Sequence, residues 1–451
     1  MSPLSLLRRT SPTNARSERP PLRAAFASLR VRNYRLYFSG QLISQIGTWM
    51  QSTALAWFVL SHTHSAFALG AVSMFRTLPV LLFALVGGVI ADRLPKQRLL
   101  IGTQTALAIQ ATILAVLTST GLITLPLIYL LAVVQGIANA LDNPARQSFV
   151  MEMVGPKDVP NAVALNSSLL QMTRLVGPAL GGITIATLGT AICFYLNAVS
   201  FVAVLIGLLL MDPRRFFAAE RPRRAAMLKQ LGEGLHYAVT TPDILLAMIT
   251  MAVLGTFGYN FQVFIPLIAQ FVLHTNSVGF GLLTSALAVG SLIAAFGVAW
   301  LGKGSRRSLL IGAGSFSVVL FCVGLASMWL VVVPLLVALG LSSTVFTATN
   351  NARLQLIAPP HLRGRVMSIN TLLFVGSTPL GSLIVGGMAE SAGVQPTVAA
   401  MGMLCMLGVA ASLVYLRHSR DRLVPPGEEF NRRSGTGEGQ LVTASHRQHA
   451  S

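Results

Sequence analysis

The chain has 451 residues, of which 53% are hydrophobic and only 10% are charged. Soluble domains carry roughly 25% charged residues, so this composition excludes an ordinary soluble protein and indicates that lipid is the solvent. The net charge of +19 would suggest nucleic-acid binding in a soluble protein. Here the basic residues are spread over short loops without interleaved aromatic residues, so we expect no nucleic-acid partner.

The Lys and Arg residues are distributed asymmetrically along the chain. All but two of the 33 lie in alternate gaps between apolar segments, and the intervening gaps contain none. Because Lys and Arg stay on the cytoplasmic side of a membrane, this alternation predicts a multi-pass protein with both termini in the cytoplasm. Seven basic segments that alternate with six others require twelve crossings.

The apolar segments form two sets of six, each segment close to the roughly 20 residues that a helix needs to cross the hydrocarbon. They cover residues 36–60, 67–90, 99–119, 125–145, 163–186, 190–211, 244–272, 279–301, 308–326, 329–349, 366–390 and 397–416. We therefore expect an all-α integral membrane protein with twelve transmembrane helices in two pseudo-symmetric six-helix bundles.

These segments also divide the chain into units. The expected units are a basic cytoplasmic N-terminal tail (1–33), a first bundle (34–211), a central cytoplasmic linker (212–242), a second bundle (243–416) and a cytoplasmic tail (417–451). Within the linker, residues 228–238 have the pattern of a short amphipathic helix. The C-terminal tail lacks apolar periodicity, so we expect disorder there and in most of residues 1–30.

The two halves show an internal repeat. Residues 93–102 align with 303–312, residues 143–146 with 350–353, and the pair Asn166 and Gly177 with Asn370 and Gly381. Parallel repeats related by an axis along the membrane normal place a substrate site at their interface. The repeat has diverged, since Gly302 stands at the position that corresponds to Asp92.

The loop between the second and third expected helices has a distinctive sequence. Gly88 precedes Asp92 and Arg93, and further cations follow. Glycine lets a neighbouring helix approach, and Asp92 with these cations can form an ion-pair latch that is present in one conformation and absent in another. The alternative is a basic turn that only sets topology. The segment resembles the signature loop of the major facilitator superfamily, although Pro95 stands where that pattern usually has Gly.

The fourth expected helix is polar along one face of its inner half. Gln135, Asn139 and Asn143 are spaced i, i+4, i+8, and Asp142 lies three residues after Asn139. Such a face must point into the bundle. Asp142 and Arg146 are four residues apart and can pair, which lowers the cost of a carboxylate near the membrane boundary. The two interpretations that remain are proton coupling and simple anchoring of the helix end.

Two arginines break the topological pattern. Arg174 lies in the middle of the fifth expected helix, on a stripe with Gln171, and Arg76 lies about ten residues into the second. Charged residues at such depth usually face a cavity or a partner. They could bind an anionic substrate group or pair with Asp142, although Arg76 could also extend toward the outer interface.

The fifth expected helix continues with Gly177, Pro178, Gly181 and Gly182. Small residues let helices approach closely, and Pro bends a helix. The cluster resembles a fifth-helix motif of drug/proton antiporters in the superfamily, which favours export. A generic close-packing site is equally natural.

Polar side chains on the first and seventh expected helices are candidates for a central cavity. Gln41 and Gln45 lie on the first helix and Asn260 on the seventh. In the superfamily these two helices line the cavity from opposite halves, so the resemblance implies that these amides, with Asn139 and Gln171, face it. Hydrogen bonding to a neighbouring helix is the alternative.

Signals of an enzyme are missing from the sequence. It contains no metal-ligand spacing, nucleophile elbow or complete phosphate-binding loop. Each of the three Cys residues lies inside an apolar segment, where a thiol behaves as a small hydrophobic group. We therefore expect no enzyme activity and no cofactor. The absence of an ATP site favours a secondary transporter.

Four segments together resemble one bacterial branch of the superfamily, the transmembrane secretion effectors. They are residues 47–51 (GTWMQ), 142–149 (DNPARQSF), 194–201 (FYLNAVSF) and 231–234 (LGEG). That branch contains enterobactin exporter-like and macrolide efflux-like proteins. The resemblance implies export by alternating access, driven by protons, across the bacterial inner membrane, with a siderophore or drug-like compound as substrate.

Proton coupling needs a titratable carboxylate. Asp142 and Asp92 are the acids near the helices of the first half, and Glu390, at the outer end of the eleventh expected helix, is a third candidate.

We expect the lipid bilayer and a small molecule as the partners of a monomeric protein. The alternatives are a mover of lysophospholipids with the same fold and a non-transporting sensor or scaffold that binds a partner through its basic tails.

Overall fold

The computed structural model describes residues 22–217, 227–301 and 305–418. The disorder expected for residues 1–21 and for the tail beyond residue 418 lies outside the described residues. The same holds for the part of the repeat at residues 302–304 and for the arginines at 221–224.

Fourteen α-helices account for most of the described chain. In the first half they are α1 (Arg32–Thr63), α2 (Ala66–Arg93), α3 (Lys96–Ser119), α4 (Leu125–Val154), α5 (Val159–Leu188) and α6 (Thr190–Leu209). The linker contributes α7 (Met227–Thr240), which includes the amphipathic helix expected there. In the second half they are α8 (Pro242–Phe257), α9 (Phe261–Leu267), α10 (Ser277–Leu301), α11 (Arg306–Leu325), α12 (Trp329–Ile357), α13 (Pro360–Ala392) and α14 (Val394–His418).

Twelve crossings arise from thirteen of these helices, because α8 and α9 together form the seventh. Among the described residues, eleven spans are long and apolar enough to cross a membrane, and α8, α9 and a following π-helical turn form one of them. The remaining crossing is α1, whose 32 residues are long enough but carry several amides and hydroxyls. These polar groups lower the mean hydropathy of α1. The helix tolerates them because it is surrounded by protein along much of its length.

The seventh crossing is interrupted at its centre. Helix α8 ends at Phe257, and the chain leaves helical geometry at Asn260, with φ −89° and ψ 40°, before α9 begins. Gly258 packs against the ring of Phe316, where a side chain would clash. Irregular backbone at this depth is tolerated where it is buried in protein or lines a cavity.

The two halves repeat in three dimensions. In both, the first crossing packs against the fifth and sixth, the second against the fourth, and the third against the fourth and sixth. The halves meet where α2 packs against α13 and α5 packs against α10. The expected fold, two pseudo-symmetric six-helix bundles, is confirmed.

The hydrophobic core is continuous at one end of the molecule and divided at the other. One cluster joins both bundles and includes Phe194 and Phe264. At the opposite end each bundle has a separate cluster, with Tyr34 and Phe149 in the first and Ile244 and Val366 in the second. We call this divided end, where α1 and α8 begin, the inner end, and the other the outer end. Among the described residues, the hydrophobic contact between the bundles therefore lies toward the outer end.

The segment Leu22–Arg30 is the described part of the stretch 1–30, most of which was expected to be disordered. It forms a short kinked helix against the inner end of α5. The backbone N–H of Ser28 donates to Asn161 Oδ1 (3.0 Å), and the Ser28 hydroxyl donates to the carbonyl oxygen of Asp158 (3.1 Å). These two hydrogen bonds satisfy polar groups of Ser28 that water would otherwise have to solvate.

Candidate functional site

Asp142 lies at the centre of a buried network near the inner end of the first bundle. Its side chain is fully buried, and Oδ1 accepts hydrogen bonds from the Thr103 hydroxyl and the Gln104 amide, both at 2.8 Å. Arg146 forms an ion pair with Oδ2 and donates a further hydrogen bond to Gln41 Oε1 (2.6 Å). The pairing expected from the i, i+4 spacing is present, and the network ties α1, α3 and α4 together.

The second bundle has a matching cluster that sequence reasoning missed. Asp243 Oδ1 accepts hydrogen bonds from Arg306 and Arg353, both at 2.7 Å. Arg353 corresponds to Arg146 in the repeat, but its carboxylate comes from the start of α8. Thr349 stands where the repeat would place the counterpart of Asp142. Arg353 has no acidic residue in its own helix, α12. That was the sequence signal that another helix had to supply its carboxylate partner.

Arg174 lies against an aromatic surface. Its guanidinium carbon is 5.3 Å from the centroid of the Trp49 ring on α1, a cation–π arrangement. The carbonyl oxygen of Leu175, the next residue on α5, accepts a hydrogen bond from Ser285 of α10 in the second bundle (2.8 Å). Within the described ranges, no carboxylate forms an ion pair with Arg174. Arg174 therefore lies near the contact between the two bundles, midway along α5.

Arg76 also reaches the bundle interface. Its guanidinium donates to the Ser52 hydroxyl (2.9 Å), and Ser52 donates to Gln262 Oε1 in the second bundle (3.0 Å). This chain links α2, α1 and α9. Of the alternatives that the sequence left open, pairing of Arg76 or Arg174 with Asp142 is not seen, because Asp142 is occupied by Arg146 and the donors of α3.

The amides expected in a central cavity fall into two groups. Gln45, Asn139 and Gln171 are partly exposed. Gln41 and Asn260 are each only 2% exposed. Gln41 accepts from Arg146, and the Asn260 amide donates to the Thr256 carbonyl oxygen of its own crossing (2.7 Å). The structure places these last two in helix packing rather than on an open surface.

Two of the segments that carry the family resemblance pack against each other. Asn197 on α6 donates to Gln51 Oε1 on α1 (2.7 Å), and Gln51 approaches Gln110 on α3 (3.4 Å). Gly47 faces the Asn197 and Ser200 side chains, where a Cβ would clash. These buried amides satisfy each other within the first bundle, so they stabilise packing.

The Gly-Pro-Gly-Gly cluster of α5 lies where three helices converge. Gly177 and Gly181 face α1 at Trp49 and Met50, and Gly182 faces Ser277 of α10. The Ser277 hydroxyl donates to the Gly182 carbonyl oxygen (3.0 Å), and a Cβ at Gly281 would lie 2.5 Å from the Pro178 carbonyl oxygen. The small residues thus allow the bundles to close on the outer side.

A carboxylate completes this outer closure at the other contact between the bundles. Glu390 Oε2, at the end of α13, accepts from the backbone N–H groups of Ala66 (2.6 Å) and Phe67 (3.2 Å) at the start of α2, and from the Ser65 hydroxyl (3.2 Å). A helix N-terminus attracts negative charge. A Cβ at Gly70, one turn further along α2, would lie 2.5 Å from the Ser382 carbonyl oxygen.

The inner end lacks such contacts between the bundles among the described residues. Asp92 and Arg93 are exposed, and in the described part of the chain neither forms an ion pair. No hydrogen bond joins the two bundles on this side among the described residues. Within those residues, no group of three His, Cys, Asp or Glu side chains could hold a metal ion.

The arrangement is that of a transporter: two repeated bundles, closed together at one face, with polar and cationic side chains between them. A model of the family described as transmembrane secretion effectors matches residues 23–433. The chain belongs to the transmembrane secretion effector family. Because the family and its characterised members are membrane transporters, the protein is a membrane transporter and not an enzyme.

Characterised relatives resemble this transmembrane secretion effector over most of their length. The staphyloferrin A transporter of Staphylococcus aureus is 28% identical over 372 residues, which cover 82% of this chain and 92% of that one. The multidrug efflux pump Tap of Mycolicibacterium fortuitum is 26% identical, with 84% and 94% covered. The enterobactin exporter EntS of Shigella flexneri is 26% identical, with 87% and 94% covered.

Solved structures share the fold of this transmembrane secretion effector. A bacterial homologue of the human lysosomal transporter Spinster matches with a TM-score of 0.70 and 13% identity, covering 88% of this chain and 99% of that one. The nucleoside transporter NupG matches with a TM-score of 0.65 and 12% identity, covering 86% and 99%. At these identities the likeness concerns the fold alone.

Proposed function

We propose that the protein exports a small amphipathic organic compound across the bacterial cytoplasmic membrane by alternating access. Both termini lie in the cytoplasm, the proton gradient supplies the energy, and neither a cofactor nor a second subunit is needed. The relatives support this proposal, since two are named for siderophores and one for multidrug efflux.

The observation that carries the proposal is the one-sided contact between the bundles. Glu390, Gly70 and the glycines of α5 and α10 join the bundles on the outer side. The hydrophobic clusters are separate on the cytoplasmic side. An exporter must take up its substrate from the cytoplasm, and separation of the bundles on that side would give access to Arg76, Arg174 and the partly exposed amides.

Asp142 is our first candidate for proton coupling. It is fully buried, and its carboxylate holds donors from α3 and α4, with α1 joined through Arg146. Protonation would weaken all of these contacts together, so it can bias how α1 packs against α3 and α4. Asp92 and Arg93 would act as a latch that forms when the cytoplasmic side closes.

The test uses inside-out membrane vesicles, in which export appears as uptake into the vesicle. Enterobactin and ethidium serve as a siderophore probe and a drug probe. The wild-type protein should accumulate at least one of them when the proton gradient is present and stop when a protonophore is added. Absence of uptake for every siderophore and drug tried would contradict export.

The Asp142→Asn variant then tests the coupling residue. We expect it to lose gradient-driven uptake while it still exchanges substrate down a concentration gradient. Glu152→Gln is the matched control, because Glu152 pairs with Lys96 (2.5 Å) within the same bundle and away from α1. Unchanged gradient-driven uptake by Asp142→Asn would show that another group carries the proton.

A lipid mover of the same fold is the second candidate function. One feature favours it: an apolar cavity of about 550 Å³ between the cytoplasmic halves of α3 and α4, with Leu94, Leu99, Val134 and Ile137 in its wall. An acyl chain would suit such a surface. Lysophospholipids that compete with efflux of the organic probes would support this alternative.

A further inference from the structure

Arg76 and Arg174 converge on one short stretch of α1. Arg76 donates to Ser52, and Arg174 lies over Trp49. Residues three apart on a helix lie on the same face, separated by about 4.5 Å along the axis. The two guanidinium groups, which come from α2 and α5, are therefore neighbours beside α1.

These cations have no compensating charge in the described part of the protein. Asp142 is occupied by Arg146, Glu390 is at the outer end of α13, and Asp92 is exposed at the inner end of α2. A charged Arg at the centre of a membrane helix is costly. A neutral hydroxyl and one cation–π contact offset only part of the cost of two such groups.

The second bundle faces this pair with an aromatic surface. Tyr259 lies three residues before Gln262, which accepts a hydrogen bond from Ser52 (3.0 Å). Its ring meets Phe374 edge to face with centroids 5.3 Å apart and stacks on the fully buried Phe316 at 5.0 Å. The surface is apolar, apart from the Tyr259 hydroxyl, which donates to the Ser343 carbonyl oxygen (2.8 Å). One bundle thus supplies positive charge and the other supplies aromatic contact area.

We infer that Arg76 and Arg174 bind the oxyanion group of an amphipathic organic anion whose apolar body lies against Tyr259 and the rings around it. The inference rests on the proposed function and names its substrate class. Guanidinium groups bind carboxylates through paired hydrogen bonds. A ligand held by both bundles also has a different set of contacts once they move, as alternating access requires.

The first test compares two probes that differ only in charge. Tritiated 2-naphthoate and its neutral counterpart 2-naphthamide are titrated against the purified wild-type protein in lipid nanodiscs, with binding followed by scintillation proximity. We expect the carboxylate to bind at least tenfold more tightly than the amide. Equal affinity for the two probes would overturn the inference without the need for any variant.

The second test removes one charge at a time. Arg174→Gln and Arg76→Gln should each weaken binding of 2-naphthoate about tenfold and leave binding of 2-naphthamide unchanged. The control is Arg307→Gln, which removes the same charge from an exposed position at the start of α11. Arg174→Lys keeps the charge and should retain part of the preference for the carboxylate. An equal loss in the Arg307 variant would mean that overall charge, not this site, attracts the anion.

The source of the oxyanion is decided by competition. Lysophosphatidylglycerol that displaces 2-naphthoate from the wild-type protein, but not the residual binding of Arg174→Gln, would identify a lipid headgroup as the natural ligand. Failure to compete would identify a soluble organic anion. Both outcomes use the same two arginines.

Failure of the inference and failure of the proposed function give different results. Ethidium export without any preference for the carboxylate probe would leave the exporter intact and remove the anion site. Arginine-dependent binding of 2-naphthoate, with no transport of any compound in vesicles, would keep the site and remove the export function.

Discussion

Four of the arginines that the structure describes in the crossing helices form two contrasting pairs. Arg146 and Arg353, in the inner parts of α4 and α12, each have a buried carboxylate partner, Asp142 and Asp243. Arg76 and Arg174, closer to mid-membrane, have a hydroxyl and a tryptophan ring instead. The comparison separates arginines that hold helices together from arginines whose charge is left for a ligand.

Arg146 and Arg353 also show that the repeat has diverged in sequence while both arginines keep a carboxylate partner. The two arginines occupy corresponding positions, but one carboxylate comes from α4 itself and the other from α8. What the two bundles share is the requirement that a buried guanidinium be neutralised, because removal of one partner leaves an uncompensated charge. The helix that supplies the acid is free to change.

The largest expected effect on stability comes from removing a carboxylate that pairs with a buried arginine. Asp243→Leu leaves Arg306 and Arg353 without their shared acceptor, and it should destabilise the folded protein by about 3–5 kcal/mol. Thermal unfolding of the purified protein in detergent measures the change. The control Asp92→Leu removes an exposed carboxylate that has no ion pair and should shift the melting temperature little. Equal effects of the two variants would erase the distinction between paired and unpaired charges.

An increase in stability is expected when one of the two arginines without a carboxylate partner is removed. Arg174→Gln removes a membrane-embedded charge but also its contact with Trp49, so the folded protein should become more stable by about 1 kcal/mol. The same thermal unfolding assay, without ligand, checks this. Stability gained together with lost anion binding is the pattern of a functional residue. A loss of several kcal/mol would instead place Arg174 with the structural arginines.

The smallest expected effect concerns a carboxylate that pairs with a helix N-terminus instead of an arginine. Glu390→Gln keeps an acceptor oxygen for Ala66 and Phe67 but loses the charge, which is worth about 0.3–1 kcal/mol at a helix N-terminus. The outward-open population should rise about two- to fivefold.

Distances between spin labels at Thr120 and Ser327, in outer loops of the two bundles, report this change. Glu152→Gln, an inner-face carboxylate within one bundle, is the control and should leave the distance distribution as in the wild type. An unchanged distribution in Glu390→Gln would show that glycine packing alone closes the outer side.

Much of this could be predicted from the sequence, because topology depends on properties of single segments. Apolar length and the position of Lys and Arg predict the crossings, and the i, i+4 spacing predicts the pair formed by Asp142 and Arg146. The amides were harder. Gln41 and Gln45 lie one turn apart on the same helix, but one is buried against Arg146 and the other is partly exposed. A helical pattern shows which face is polar and not which neighbour that face meets.

The sequence by itself therefore determined the number of crossings, their repeat and the presence of two arginines that topology does not explain. Only the tertiary structure decided that Asp142 is unavailable to those arginines, that Asp243 pairs with Arg353, and that Arg76 and Arg174 both contact the same face of α1. The physical reason is the distance along the chain over which each effect acts. Lipid exposure and membrane topology act on each segment separately, whereas the pairing of buried charges depends on contacts between helices that are distant in the chain.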